Sequence, residues 1–421
     1  MRPFEESIRS GGVRASLSGQ ALHAIRATVR LILNRERAND NQGYCSDAEL
    51  TALELLFRQV PAHDQLAVIR RHRLECFLHR DPLTARLMPK LAATIRLYAR
   101  QESLAALALV PLIREITILF EEAGLPMLIV KGIPLALQTT NLLNGRGCGD
   151  VDMVVDPSQL VAAVDLLEGA GFRRSPGHFP RRLESLWGQY SRWAYNELPL
   201  IRSGSSGIQR LDLHWALSNV RRPLPGFEEA WERRETLQLH GCQIATLCRA
   251  HAFEHACVHA AVDHWNSLRH LIDIDRLASL QPESGLAALS RHAAMRRSCA
   301  VTFDLTGSET LLIVAGGPAA RRETRHSARI SPRTRSAVRQ AVLSQALPTS
   351  REAIPWTMTE WWGDVWRLAT LTPDWRDRLR VLSFMVLWPG VFSDPVTGRD
   401  RGFLSLLQAC FTRVGQRLRR S

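Results

Sequence analysis

The chain of 421 residues is 45% apolar and carries 54 basic against 41 acidic residues, a formal net charge of +13. That length and apolar fraction exclude a disordered chain and leave room for two or three domains with real cores. The positive excess admits polyanionic partners such as nucleotides, nucleic acid or an acidic membrane surface, although 52 of the 54 basic residues are Arg, so compositional drift accounts for much of it.

The eight cysteines are scattered with no C-x-x-C pair, which indicates neither a zinc knuckle nor a disulfide framework and fits a reducing, cytoplasmic setting. The first residues, MRPFEESIRSGG, hold no apolar h-region, and the run VLSFMVLWPGVF near the end has 12 residues with a proline inside. It is too short to span a bilayer, so no transmembrane segment is expected.

In chain order, residues 1–105 read as a helical N-terminal region. Apolar residues recur at helical spacing in LTALELLFRQV and again in LAALALVPLIREITILFEEAG, where Gly124 and Pro126 stop the run. Residues 106–247 read as a small α/β core: PMLIV as a buried strand, IPLALQTT as a short helix with Pro134 in its first turn, and DVDMVV as a second strand. A helix over SQLVAAVDLLEGAGF follows, and YSRWAYNELPLI and IQRLDLHWAL read as an antiparallel pair joined by RSGSSG. Residues 248–345 return to helical period and include the Arg- and Ser-rich stretch 317–340, read as a solvated linker. Residues 346–421 form a tail with six of the eleven tryptophans, expected to pack as a helical cap.

In a strand, residues i and i+2 share a face, so Asp150 and Asp152 are expected to point together while Val151, Met153 and Val155 point inward. Two carboxylates side by side can hold a divalent metal. The sequence contains its own control, because a second D-x-D at Asp273 and Asp275 lies among apolar residues at helical spacing. There the two acids are turned roughly 200° apart and cannot chelate one ion. A two-metal site needs a further carboxylate, and Asp212 in RLDLHW is the candidate. Alternation puts Arg210, Asp212 and His214 on one face, where Asp212 is either a third ligand or an ordinary edge-strand charge.

Lys131 and Gly132 end the first strand where a helix begins. Free N–H groups, a glycine permitting close approach and an ammonium make a phosphate site; the alternative is a strand-end lysine in solvent. Only one other lysine, Lys90, exists in the chain, which weakens that alternative. Arg146, in the loop NGRGCGD, either neutralises a phosphate or belongs to a turn. GRGCG is not a dinucleotide fingerprint, because such a loop opens a helix and this one feeds a strand. His251, His255 and His259 recur at i, i+4 and i+8, followed by Asp263 and His264. Zinc ligation is one reading of that stripe; packed or hydrogen-bonded histidines, with His264 or Arg269 lining a nucleotide cleft, is the favoured one.

The order LIVKG, GRGCGDVDMVV, LDLHW and HACVHAAVDHWNSLRHLIDID resembles the uncharacterised nucleotidyltransferase family of the polymerase-beta-like superfamily, over residues 100–280. The resemblance implies an α+β fold: a small mixed or antiparallel nucleotidyltransferase sheet flanked by N- and C-terminal helical domains. It also implies that Asp150, Asp152 and Asp212 hold two Mg²⁺ ions, with Asp212 helping to deprotonate the acceptor. Lys131-Gly132 replaces the superfamily's Gly-Ser, so Lys131 would take over the contact to the β- and γ-phosphates. The substrate would be a nucleoside triphosphate (ATP among them), and the acceptor a small molecule, a peptide or RNA in some biosynthetic setting. Two other readings stand beside it: a non-catalytic partner-binding protein on the same fold, and a D-x-D glycosyltransferase, whose usual run of alternating strands and helices before the motif is missing here.

Overall fold

The computed structural model describes residues 18–38, 46–174, 183–204, 207–316, 332–346, 358–386 and 408. Helices lead in: α1 (Gly19–Ala38), α2 (Asp47–Gln59), α3 (Ala62–His72) and the long α4 (Ala92–Glu122). Local chemistry sets their ends. The Ser46 hydroxyl and Glu49 carboxylate close a reciprocal capping box on α2.

The core follows as β1 (Met127–Val130), α5 (Gly132–Thr140), β2 (Val151–Val155), α6 (Leu160–Gly169), β3 (Arg173–Arg174), α7 (Leu186–Ala194), β4 (Glu197–Gly204) and β5 (Gly207–His214). These strands make one five-stranded sheet in the order β1-β2-β5-β4-β3. The sheet is mixed, because β2 and β5 run parallel while the other pairs are antiparallel. A separate hairpin, β6 (Glu235–Leu239) with β7 (Cys242–Thr246), closes the unit.

The C-terminal helices are α8 (Arg249–Val262), α9 (Leu268–Ser279), α10 (Glu283–Leu289), α11 (Ala293–Thr306), α12 (Pro332–Gln345), α13 (Met358–Ala369) and α14 (Trp375–Val386). The fold class is thus α+β, a small mixed sheet between helical flanks.

Strand alternation divides the interior in two. Met127, Ile129, Val151, Met153, Leu211 and Leu213 belong to a core shared with α4 and α6. Leu128, Val130 and Val154 belong to a second core that continues into α8, α9 and α11. Asp152 shares the second face, since it alternates with Val151 and Met153 along β2.

Three local readings differ from the sequence expectation. The segment YSRWA lies in α7, and the β4 strand starts only at Glu197. Its helical start is set by the Ser185 hydroxyl, which accepts from the Gly188 N–H. Residues 332–345 form helix α12 with Ala337 and Ala341 buried, where Arg-rich composition suggests a linker. The rest of that stretch, 317–331, lies outside the described residues, as do Trp356 and Trp388. Asp150 sits in a bend just before β2, not in the strand itself. Of the tail, α13 and α14 bury Val365, Leu368 and Val381, while Trp366 and Trp375 are exposed. The tail is docked on the core, with Arg380 Nε donating to the Trp193 carbonyl at 2.9 Å.

Among the described residues one helix, α4, is long and apolar enough to cross a membrane. It differs from a free span in that Ile113, Ile116 and Phe120 are buried in the core shared with the sheet.

Candidate active site

The parallel pairing of β2 with β5 makes Asp152 and Asp212 register partners. Register partners on neighbouring strands project to the same face, about 4.8 Å apart at the backbone. Asp152 is buried, Asp212 half-buried and Asp150 exposed. The sheet thus brings two of the three expected acids together. The third stands at the entrance of β2, near enough to act on the charge of Asp212.

Lys131 stands at the strand-to-helix junction with φ of +58° and ψ of −136°, a conformation costly for a residue with a side chain. That turn places its ammonium Nζ 2.7 Å from Asp152 Oδ1. The same oxygen accepts from His214 Nε2 at 3.0 Å. His214 follows Asp212 by two residues on β5, and its Nδ1 stands 3.4 Å from Glu197 Oε2 and 3.3 Å from Asn196 Nδ2.

These contacts decide the charges. Burial alone would raise the Asp152 carboxyl, but Lys131 and His214 hold it well below the usual carboxylate range. Burial opposes the Lys131 charge, yet Asp152, Glu197 and Asp212 together raise its pKa. Asp212 goes the other way: burial first, then the neighbouring charges of Asp152 and Glu197, pushes it up to about 6.

Arg146 is a pillar of the loop between α5 and β2. Its Nε donates to Asp273 Oδ2 at 2.7 Å, and both side chains are buried. Arg269 Nη1 donates to the Gly147 carbonyl of the same loop at 2.7 Å. Gly147 permits this close packing, because a Cβ there would collide with the Glu102 carboxylate. Arg146 therefore ties the loop to α9 as well as lining the cleft.

That cleft, beside the Lys131–Asp152 pair, lies between α5 with its following loop and the C-terminal helices, and Asp150, Asp152 and Asp212 are not among its lining residues. Lys131 and Arg146 line it from the core side; His255, His259, His270 and Asp273 line it from α8 and α9. The second D-x-D is helical, as its spacing predicts. Asp273 meets Arg146 and Asp275 meets Arg37, so the two acids face different partners.

The histidine stripe does not act as one unit. His251 stands 3.6 Å from Glu229. His255 Nε2 lies 3.1 Å from the Leu217 carbonyl, and His259 stands 3.7 Å from Asp263. His264 turns away from the cleft to Arg367 Nη2 at 2.7 Å. Burial depresses His255, His259 and His270; Lys131 adds to it in all three and the His259 ring adds to it in the other two, while Asp263 opposes it at His259. The sequence reading uses Asp273 only as part of the control D-x-D and gives His270 no role, although both lie in HLIDID, the last segment that carried the resemblance.

A small mixed sheet with neighbouring acids beside a strand-to-helix turn is a nucleotidyltransferase-like arrangement. The model of the uncharacterised nucleotidyltransferase family matches residues 59–303, and the chain belongs to that family. A crystal structure of an antigenic nucleotidyltransferase-like protein from Paracoccidioides brasiliensis is similar at a TM-score of 0.33 and 14% identity, over 49% of this chain and 91% of that one. No curated protein matches the chain.

Proposed function

We propose that the chain transfers a nucleoside monophosphate from a nucleoside triphosphate to an acceptor hydroxyl, releasing pyrophosphate, with Mg²⁺ held by Asp150, Asp152 and Asp212. The observation that carries this reading is the in-register pairing of Asp152 with Asp212 beside Lys131. The donor set fits the ion. All three are hard carboxylate oxygens, and beyond the burial that first pushes Asp212 up to about 6, the added crowding by Asp152 and Glu197 is what a divalent cation relieves. When bound, Mg²⁺ supplies charge neutralisation of the triphosphate and of the departing pyrophosphate.

The chain's own groups do the rest. The α5 N-terminus at Gly132 offers backbone N–H groups to phosphate oxygens. Lys131 releases Asp152 and pairs with the β- and γ-phosphates, which leaves His214 as the remaining partner of that Asp152 oxygen when substrate arrives. Asp212, ionised above pH of about 6, accepts the acceptor hydroxyl's proton on a carboxylate oxygen. The helical wall of the cleft excludes water from the transferred group.

A second reading has its own observation. The Lys131 ammonium already sits on Asp152, as a fixed cation would in a fold that binds a protein partner and performs no chemistry. Binding of the four common NTPs with and without Mg²⁺, to wild type, Asp150→Asn and Lys131→Ala, separates the two. Mg²⁺-dependent binding lost in both variants is expected. No binding of any NTP rejects the transferase and supports the partner-binding reading. The acceptor class is read from salt: a steep loss of transfer with rising ionic strength marks RNA, and no salt dependence rules it out.

A further inference from the structure

The C-terminal helices carry three ligating groups that the transferase reading does not use, two of which, His259 and His270, line the cleft. We propose that His259, Asp263 and His270 form a zinc site, separate from the oxygen-lined Mg²⁺ site on the sheet. Each offers one ligand atom, and these atoms lie within 4.8 Å of one another. His259 and Asp263 are one turn apart at the end of α8, with Nε2 and Oδ2 3.7 Å apart. His270 comes from the first turn of α9, its ring centroid 4.8 Å from that of His259 and inclined to it by 50°. Donors around a tetrahedral zinc stand about 3.3 Å apart at ordinary bond lengths, so small side-chain rotations complete the site.

Two further features point the same way. His270 Nδ1 is buried without a hydrogen-bond partner among the described residues. Such an orphan is costly to bury, and a metal bond is one way to satisfy it. The connection between the helices is held in a costly form: His264 and Trp265 have φ of +57° and +50°. Trp265 is fully buried, its indole Nε1 donating to Ser298 Oγ at 2.8 Å. That anchored turn is what returns His270 to His259.

Two imidazoles and a carboxylate select zinc over magnesium, which prefers an all-oxygen shell. The nearby Lys131 and Arg146 are each paired with an acid, which offsets their repulsion of a cation. Three protein ligands leave the fourth zinc position open. With His259 and His270 lining the cleft, that position would take water or an anionic oxygen of the substrate. The spacing H-x3-D-x6-H, in HAAVDHWNSLRH, is the sequence trace of the site.

The test is zinc titration of the full, chelator-stripped chain against a chromogenic competitor, with Co²⁺ absorption as a second readout. One zinc per chain is expected, weakened by ~tenfold or more in His259→Ala and His270→Ala and unchanged in His251→Ala. The Co²⁺ form should show visible tetrahedral bands without thiolate charge transfer. Equal zinc affinity in wild type and His270→Ala overturns the proposal, as does a Co²⁺ spectrum without those bands or with thiolate character. Should the alanine variants fail to fold, the wild-type Co²⁺ spectrum decides. Asp150→Asn should bind zinc like wild type, so loss of NTP binding and loss of zinc are distinguishable failures.

Discussion

Lys131 is where stability and chemistry compete most directly, and Lys131→Met measures the competition. Its ammonium is largely buried, 18% exposed against 9% for its partner Asp152. Removing one member of a buried pair costs ~3–5 kcal/mol because the other charge is left uncompensated. Here His214 stays on the same Asp152 oxygen, so the lower end, about 3 kcal/mol, is expected in a metal-free buffer. Relief of the +58° backbone offers an internal control. Lys131→Gly should be more stable than Lys131→Met by ~1 kcal/mol if strain at that residue is real, since glycine adopts positive φ without steric cost. Urea unfolding with chelator and then with excess Mg²⁺ is the assay. Mg²⁺ should stabilise Lys131→Met more than wild type, because ammonium and metal contend for Asp152. A Lys131→Met protein as stable as wild type in chelator refutes the structural role of the pair. An equal Mg²⁺ response in both proteins refutes the competition.

Asp150 is exposed, so Asp150→Asn should change stability by no more than ~0.5 kcal/mol while abolishing transfer; unfolding and activity measured on one preparation check it. At limiting Mg²⁺ the kcat/KM of the wild type should fall as pH drops through about 6, where Asp212 of the metal-free protein takes up its proton. Asp212→Asn should retain no such limb in whatever activity remains. Asp273→Asn should act through Arg146 and the loop, raising KM with a smaller change in kcat and lowering stability by roughly 3 kcal/mol; a pure kcat loss would instead place Asp273 in the chemistry. Burial, with Arg71 and Arg26 adding to it, holds His72 down to about 3. The unfolded chain therefore takes up a proton near pH 6.5 that the folded chain refuses, and the contribution is complete above 6.5 and lost as pH falls toward 3. The slope is ~1.4 kcal/mol per pH unit. His72→Gln should flatten the pH dependence of urea unfolding by that amount between pH 6 and 4, and an unchanged slope would show the ring to be protonated in the fold.

What was legible in the sequence is what a single element can encode. The period of two in β2 and β5 told which residues face the core. The helical period around Asp273 and Asp275 separated that D-x-D from the one at β2, and the structure gives the two acids different partners, Arg146 and Arg37. What periodicity does not encode is register and long-range pairing. That Asp152 lies opposite Asp212 depends on β2 and β5 being parallel neighbours, although they are separated by two helices and two strands in the chain. The Arg146–Asp273 pair spans 127 residues, and no local rule chooses Asp273 over Asp275 as its partner. The same limit hid the histidines. The stripe from His251 to His259 is visible along one helix, yet His251 goes to Glu229, and the ring beside His259 is His270 from the next helix. A turn with two residues at positive φ, neither of them glycine, is what joins them, and sequence preference alone argues against such a turn. Where a chain keeps so unfavourable a connection, the side chains it brings together are the place to look for what the fold has been arranged to hold.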